Sequence, residues 1–111
     1  MWYDKLPLTE EPMNHGIDEK TQKKIIVLIA ALIPEAKIYL FGSRARGRFA
    51  QWSDIDLALD AGKRLPNVVV DEVKSVLNNT NIPYKIDVVD LYFVTDEMKD
   101  SILQEGIVWK A

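Results

Sequence analysis

The stretch from residue 41 to residue 59, FGSRARGRFAQWSDIDLAL, constrains the fold of this 111-residue chain more than any other. A Gly-Ser pair follows directly on the β-forming segment Lys37–Phe41, and the stretch ends in the alternating segment Asp54–Leu59. Alternation of polar and apolar residues is typical of a half-buried β-strand. Because side chains two residues apart on a strand share a face, Asp54 and Asp56 are predicted to point to the same side.

The flanking segments predict helices around these strands. An apolar i, i+3, i+4, i+7 pattern favours a helix that Asp18 caps and Pro34 stops, and a short helix or turn is expected over 43–47. The later predicted elements are a helix over 68–78 capped by Asn67, a strand over 85–91, a helix from Thr95 to about 104 and a strand over 107–109. This order predicts a single α/β (α+β) domain over 1–111, a small mixed sheet flanked by helices. Residues 1–17 are expected to form an irregular arm, in which the lone His15 is structural or idle.

Composition narrows the class of protein. With 48% hydrophobic and 28% charged residues, the chain resembles ordinary soluble globular proteins. The apolar run over 25–33 is much shorter than the roughly 20 residues that span a bilayer, so no membrane segment is predicted. No signal peptide is visible and there is no cysteine, so a cytoplasmic location is expected and thiolate metal sites are excluded. A net charge of −3 argues against general nucleic-acid binding.

Three carboxylates are candidates for one cluster. Asp87 lies between Ile86 and Val88 in the third predicted strand, where it could sit beside Asp54 and Asp56. On alternation alone, a strand with a solvated polar face is the simpler interpretation. Carboxylates brought together repel one another unless a cation lies among them, and ligation by oxygen atoms suits Mg²⁺ that also binds a substrate phosphate. Two such ions could clamp both oxygens of a phosphoryl displacement.

The Gly-Ser pair offers a complementary role. Glycine lets the backbone approach a ligand, and amides at a helix start can hold phosphate oxygens together with the Ser43 hydroxyl. Positive charge is concentrated nearby, where Arg44 and Arg46 either bind a polyphosphate or lie on a solvated turn, and Arg48 is expected to be idle. Ser53 either contributes to the same site or bonds its local backbone, as serines before strands commonly do.

A Gly-Ser pair at 42–43, ten intervening residues and Asp-Ile-Asp at 54–56 together resemble the motif of the polymerase-β-type nucleotidyltransferase superfamily. Ala-Arg-Gly at 45–47 and Ser53 add to the likeness, which extends over about 18–109. The chain is most similar to the small members called minimal nucleotidyltransferases, many of which are antitoxins of HEPN-domain toxins. Asp90 is the alternative to Asp87 as third carboxylate, but apolar neighbours on both sides of Asp87 mark the centre of a strand.

The resemblance implies a palm-like nucleotidyltransferase fold and a reaction. AMP would pass from ATP to a hydroxyl, expected to be that of a tyrosine on the HEPN toxin, with release of pyrophosphate. The implied ligands of Mg²⁺ and catalytic residues are Asp54, Asp56 and Asp87, of which Asp87 would also help to deprotonate the acceptor. The implied nucleotide-binding residues are Gly42, Ser43, Arg44, Arg46 and Ser53.

Chain length favours a protein acceptor. Once a four-stranded sheet and its helices are built, few residues remain for an acceptor domain, so another chain is expected to complete the site. Two alternatives stay open: transfer to the hydroxyl of a small molecule, and a non-catalytic antitoxin that masks its partner by binding.

Overall fold

The computed structural model describes residues 15–111, in which helices and strands follow the predicted order. The elements are α1 Glu19–Leu32, β1 Lys37–Phe41, α2 Gly42–Ala45, β2 Ile55–Asp60, α3 Asn67–Asn78, β3 Ile86–Asp90, α4 Asp96–Glu105 and β4 Ile107–Lys110. The part of the predicted arm over 1–14 lies outside the described residues. Within 15–111, no helix combines the length and hydropathy needed to cross a bilayer.

The strands form one mixed sheet in the order β3-β2-β1-β4. β1 runs antiparallel to both of its neighbours, whereas β2 and β3 are parallel. A parallel pair needs a long crossover connection, which α3 supplies. The register of the parallel pair places Asp56 directly beside Asp87. The predicted mixed sheet flanked by helices is therefore confirmed.

Two of the three predicted helix N-caps are present in the structure, and one is wrong. The Asp18 side chain accepts a hydrogen bond from the Thr21 amide, and Thr95 caps α4 in the same way. The predicted cap at Asn67 is wrong, because Asn67 is already helical and Pro66 occupies the cap position. Proline has no N–H to donate, and its carbonyl still accepts the first bonds of α3, so the helix can begin directly after it.

The two faces of the sheet are covered differently. One face packs against α1 and α3 in the main core, to which Ile25, Ile29, Val73 and Leu77 contribute from the helices. On the opposite face, Ile102 of α4 packs in a small cluster with two further apolar residues. Strand alternation directs Asp56 and Asp87 to this second face, where both are only half-buried.

Candidate active site

Asp56 and Asp87 form the centre of the candidate site. They occupy paired positions on β2 and β3, and Asp54 lies exposed just before β2, which begins at Ile55 rather than at the predicted Asp54. Burial raises the pKa of the Asp56 carboxyl, the charges of Asp87 and Asp54 raise it further, and Arg46 lowers it. Because both other carboxylates act on Asp56, the three share one electrostatic neighbourhood. The register brings Asp56 and Asp87 together on one face as predicted, whereas Asp54 lies before β2 and outside the sheet.

Gly42 brings the backbone against this cluster. The register of the first two strands pairs Phe41 with Asp56, so α2 begins beside the carboxylate. Gly42 has φ of +78°, and a Cβ atom there would lie 2.5 Å from Asp56 Oδ2. Both the positive φ and the close approach require glycine. Ser43 follows in the first turn of α2, where amides have no acceptor within the helix.

The donor chemistry of the cluster fits a divalent cation. Among residues 15–111, no three acidic, histidine or cysteine side chains converge closely enough to enclose a metal ion by themselves. The oxygens of Asp54, Asp56 and Asp87 are nevertheless hard ligands whose mutual repulsion a cation would relieve. Mg²⁺ is commonly held by one or two carboxylates together with waters and substrate phosphates. The arrangement thus suits an ion that is bound jointly with a phosphate-bearing substrate.

Arg44 does not face this site, contrary to the prediction that it binds nucleotide. Its side chain is 1% exposed, and its guanidinium donates hydrogen bonds to the carbonyl oxygens of His15, Gln51 and Ser53 at 2.8–3.1 Å. The guanidinium carbon also lies 4.8 Å from the ring centres of two aromatic residues, Phe49 and Tyr84. Arg44 therefore fixes the loop that leads to Asp54.

Of the remaining polar residues of the motif, Ser53 stabilises the loop and Arg46 lies near the carboxylates. The Ser53 hydroxyl accepts a hydrogen bond from the Ala50 amide at 2.8 Å, which matches the local role considered for it and not nucleotide binding. Arg46 is exposed and forms an ion pair of 3.4 Å with Glu105. The Arg46 charge also lowers the pKa of Asp56, so Arg46 acts electrostatically on the carboxylates.

The fold separates Asp87 from Asp90. Asp90 is buried and accepts hydrogen bonds from the amides of Leu65 at 2.7 Å and Tyr92 at 2.9 Å. Strand alternation directs it to the face opposite Asp87. Asp90 thus stabilises the loop before α3 and the turn after β3 through hydrogen bonds. Asp87 is the carboxylate beside Asp56.

Sequence reasoning missed Lys74. Its Nζ atom lies 3.7 Å from Asp87 Oδ1, with both side chains nearly half exposed. No local pattern links a lysine in α3 to an aspartate in β3, so the pairing emerges only from tertiary packing. His15 was expected to be structural or idle, and it is structural, since its buried ring packs against Trp109 and its Nδ1 accepts a hydrogen bond from the Ile17 amide.

Comparison with known proteins agrees with this geometry. The family model described as Polymerase beta, Nucleotidyltransferase matches residues 23–110. The Probable protein adenylyltransferase MntA of Haemophilus influenzae is 26% identical over 94 residues, which cover 83% of this chain and 82% of that protein. The Protein adenylyltransferase MntA of Shewanella oneidensis is 31% identical over 91 residues, which cover 81% of this chain and 65% of that relative.

Solved structures show the same likeness. A crystal structure of a toxin–antitoxin complex with AMP-PNP matches with a TM-score of 0.70 at 31% identity, over 79% of this chain and 71% of that chain. A structure of tri-AMPylated Shewanella oneidensis HEPN toxin in complex with MNT antitoxin matches with a TM-score of 0.67 at 28% identity, over 84% and 71% of the two chains. The chain belongs to the Polymerase beta nucleotidyltransferase family.

Proposed function

We propose that this chain is an Mg²⁺-dependent protein adenylyltransferase that transfers AMP from ATP to a hydroxyl of a HEPN-domain toxin and so acts as its antitoxin. The observation that carries the proposal is the placement of Asp56 beside Asp87 with the Gly42 backbone against Asp56. Relatives named protein adenylyltransferase, and similar structures of toxin–antitoxin complexes, support the reaction and the class of partner.

Each group at the site has a proposed part in the reaction. Asp54, Asp56 and Asp87 would hold Mg²⁺, which when bound supplies positive charge to the phosphates of ATP. The amides at the start of α2 and the Ser43 hydroxyl orient the triphosphate, and Arg46 adds a positive charge beside it. Arg44 and Ser53 support the loop before Asp54 and are not proposed to touch ATP.

The transfer itself exchanges one bond for another. Asp87 accepts the proton of the acceptor hydroxyl while the hydroxyl oxygen attacks the α-phosphorus of ATP. A bond forms between that oxygen and the α-phosphorus, the bond from the α-phosphorus to the bridging oxygen breaks, and pyrophosphate leaves. The proposed acceptor hydroxyl is that of a tyrosine. We place the reaction in the cytoplasm, which holds ATP and suits a chain without cysteine.

Label transfer tests this function. The chain is mixed with Mg²⁺, ATP labelled at the α-phosphate and a HEPN-domain protein as the proposed partner, and label on the HEPN protein is measured. Wild type should transfer label, and Asp56→Asn should reduce the rate by about a hundredfold or more because a ligand at the reacting phosphate is lost. Asp60→Asn is the matched control, since Asp60 lies further along β2 and bonds the Gly62 amide.

The outcomes separate the proposal from its alternatives. Absence of label on the partner with wild type would refute protein adenylylation. Full neutralisation of the toxin by Asp56→Asn in a growth assay would indicate that masking suffices, and the catalytic route to antitoxin function would be rejected. Label on a small molecule in place of the partner would indicate a different acceptor class.

A further inference from the structure

A groove follows the edge of the sheet between α3 and β3. Its volume is about 310 Å³. One wall is a single face of α3, which presents Val70, Asp71 and Lys74, and the other wall includes Val88 of β3 and Phe93 of the turn that follows. Phe93 is 58% exposed, so an aromatic surface is open to solvent at this end of the groove. The groove is thus mainly apolar, with Asp71 and Lys74 on the α3 wall and Asp90 on the β3 wall.

One residue, Lys74, links the groove to the candidate active site. Lys74 lines it and places its Nζ atom 3.7 Å from Asp87 Oδ1. Asp87 is the residue proposed to receive the acceptor proton. A ligand that reaches the Lys74 end of the groove therefore lies next to the side chain that pairs with Asp87.

The edge of β3 offers backbone groups to such a ligand. β3 is the last strand on its side of the sheet formed by residues 15–111. Leu91 donates to Leu59 of β2, and alternation along a strand then turns the amides and carbonyls of Ile86 and Val88 away from β2. At Ile86 both groups are bonded by the Asn78 side chain, at 3.0 Å and 2.8 Å. At Val88 the same groups are directed toward the groove that Val88 lines.

We propose that this groove seats the acceptor segment of the HEPN partner as an extended stretch of polypeptide. The segment pairs with the edge of β3 at Val88 and brings its hydroxyl side chain to Asp87. Addition of a strand to an exposed sheet edge is a common mode of peptide recognition. The volume is at the lower end of the roughly 300–1,000 Å³ range of ligand sites, which suits a few side chains of a segment and not a folded domain.

The proposal rests on the proposed function, and it fixes where the acceptor enters. ATP is assigned to the opposite side of the carboxylates, at α2, whereas the acceptor approaches from the β3 edge. The two substrates thus reach Asp87 and Asp56 from different sides. Changes within the groove should affect transfer to the partner and leave ATP binding intact.

Two neighbouring substitutions in α3 test the groove. Asp71 and Glu72 are both exposed, but only Asp71 lines the groove. Asp71→Trp fills it with an indole, whereas Glu72→Trp places the same side chain outside it. Two quantities are measured for each variant: binding of a fluorescent ATP analogue with Mg²⁺, and label transfer from ATP to the HEPN partner. Circular dichroism verifies that both variants are folded.

We expect Asp71→Trp to lower transfer by about tenfold or more, because the acceptor is displaced, with ATP binding unchanged and Glu72→Trp equal to wild type. Transfer by Asp71→Trp at the wild-type rate would overturn the groove proposal while the proposed function stands. Weakened ATP binding in Asp71→Trp would assign the groove to the nucleotide and overturn it too. Absence of transfer by wild type would reject the proposed function, and the acceptor groove with it.

Discussion

Replacement of Arg44 by methionine tests whether this buried arginine holds the loop before the active site. In the structure Arg44 bonds the carbonyl oxygens of three residues and stacks between two aromatic rings. Methionine keeps much of the side-chain volume but can donate no hydrogen bond. Arg44→Met therefore removes the polar contacts with little change in packing volume.

The expected loss of stability follows from these contacts. Each carbonyl left without its donor costs about 1 kcal/mol, and each lost cation–π contact costs about 0.5–1 kcal/mol, so the free energy of unfolding should fall by about 4 kcal/mol. Such a loss is a large part of the roughly 5–15 kcal/mol that stabilises a typical domain. Arg44→Lys retains the charge but cannot reach all three carbonyls from one ammonium, so it should lose about half as much.

Chemical denaturation followed by circular dichroism measures the free energy of unfolding, and label transfer measures the activity of the folded fraction. Arg48→Met is the control, because Arg48 is exposed on the same segment and should change stability by less than about 0.5 kcal/mol. In folded Arg44→Lys, we expect the transfer rate to fall more than the affinity for ATP, since the loop positions Asp54. If Arg44→Met were as stable as Arg48→Met, the role assigned to Arg44 would be refuted.

Three further predictions concern Gly42, Asp56 and His15. Gly42→Ala should lower the free energy of unfolding by about 3 kcal/mol, and Gly62→Ala by only about 1 kcal/mol. Both glycines have positive φ, but only at Gly42 would the new Cβ meet a carboxylate. Equal denaturation midpoints for the two variants would contradict this. Burial and the neighbouring carboxylates raise the pKa of Asp56, so the ionised carboxylate destabilises the folded state. Asp56→Asn should therefore raise the denaturation midpoint at pH 7 in the absence of Mg²⁺. This gain in stability should shrink as the pH falls toward about 4, where the unfolded chain is protonated too. Burial, and to a smaller extent the Arg44 charge, lower the pKa of His15 in the folded state. As the pH falls, the unfolded chain therefore binds a proton at His15 before the folded chain does, and wild type should lose stability below about pH 6.5. His15→Gln, measured over the same pH series, should lack that loss.

Local sequence patterns were sufficient for the order of elements and for much of the candidate site. Alternation and helical spacing depend only on neighbours along the chain, so strands and helices were predicted close to their observed bounds. The boundary differences at Asp54 and Asn67 arise where backbone geometry decides the boundary and the side chain does not. The pairing of Asp56 with Asp87 was predictable because both lie in strands with apolar neighbours.

The arginines show what a sequence cannot distinguish. Arg44, Arg46 and Arg48 occur at alternate positions of one polar segment, and nothing local separates them. Arg44 differs because the carbonyl of His15 and the ring of Tyr84, both distant along the chain, converge on it. The contact between Lys74 and Asp87 has the same origin. Contacts between elements that are far apart in sequence therefore determine the part of the site that pattern reasoning missed.

The parallel pairing of β2 with β3 has a consequence for how the candidate site assembles during synthesis. Gly42, Ser43, Asp54 and Asp56 lie close together along the chain, but Asp87 joins them only after the crossover through α3 has closed. Pairings between distant segments form slowly because loop closure must precede them. A chain emerging from the ribosome thus contains Gly42, Ser43, Asp54 and Asp56 before Asp87 can join them. Under the proposed function, AMP transfer would begin only after β3 has docked beside β2.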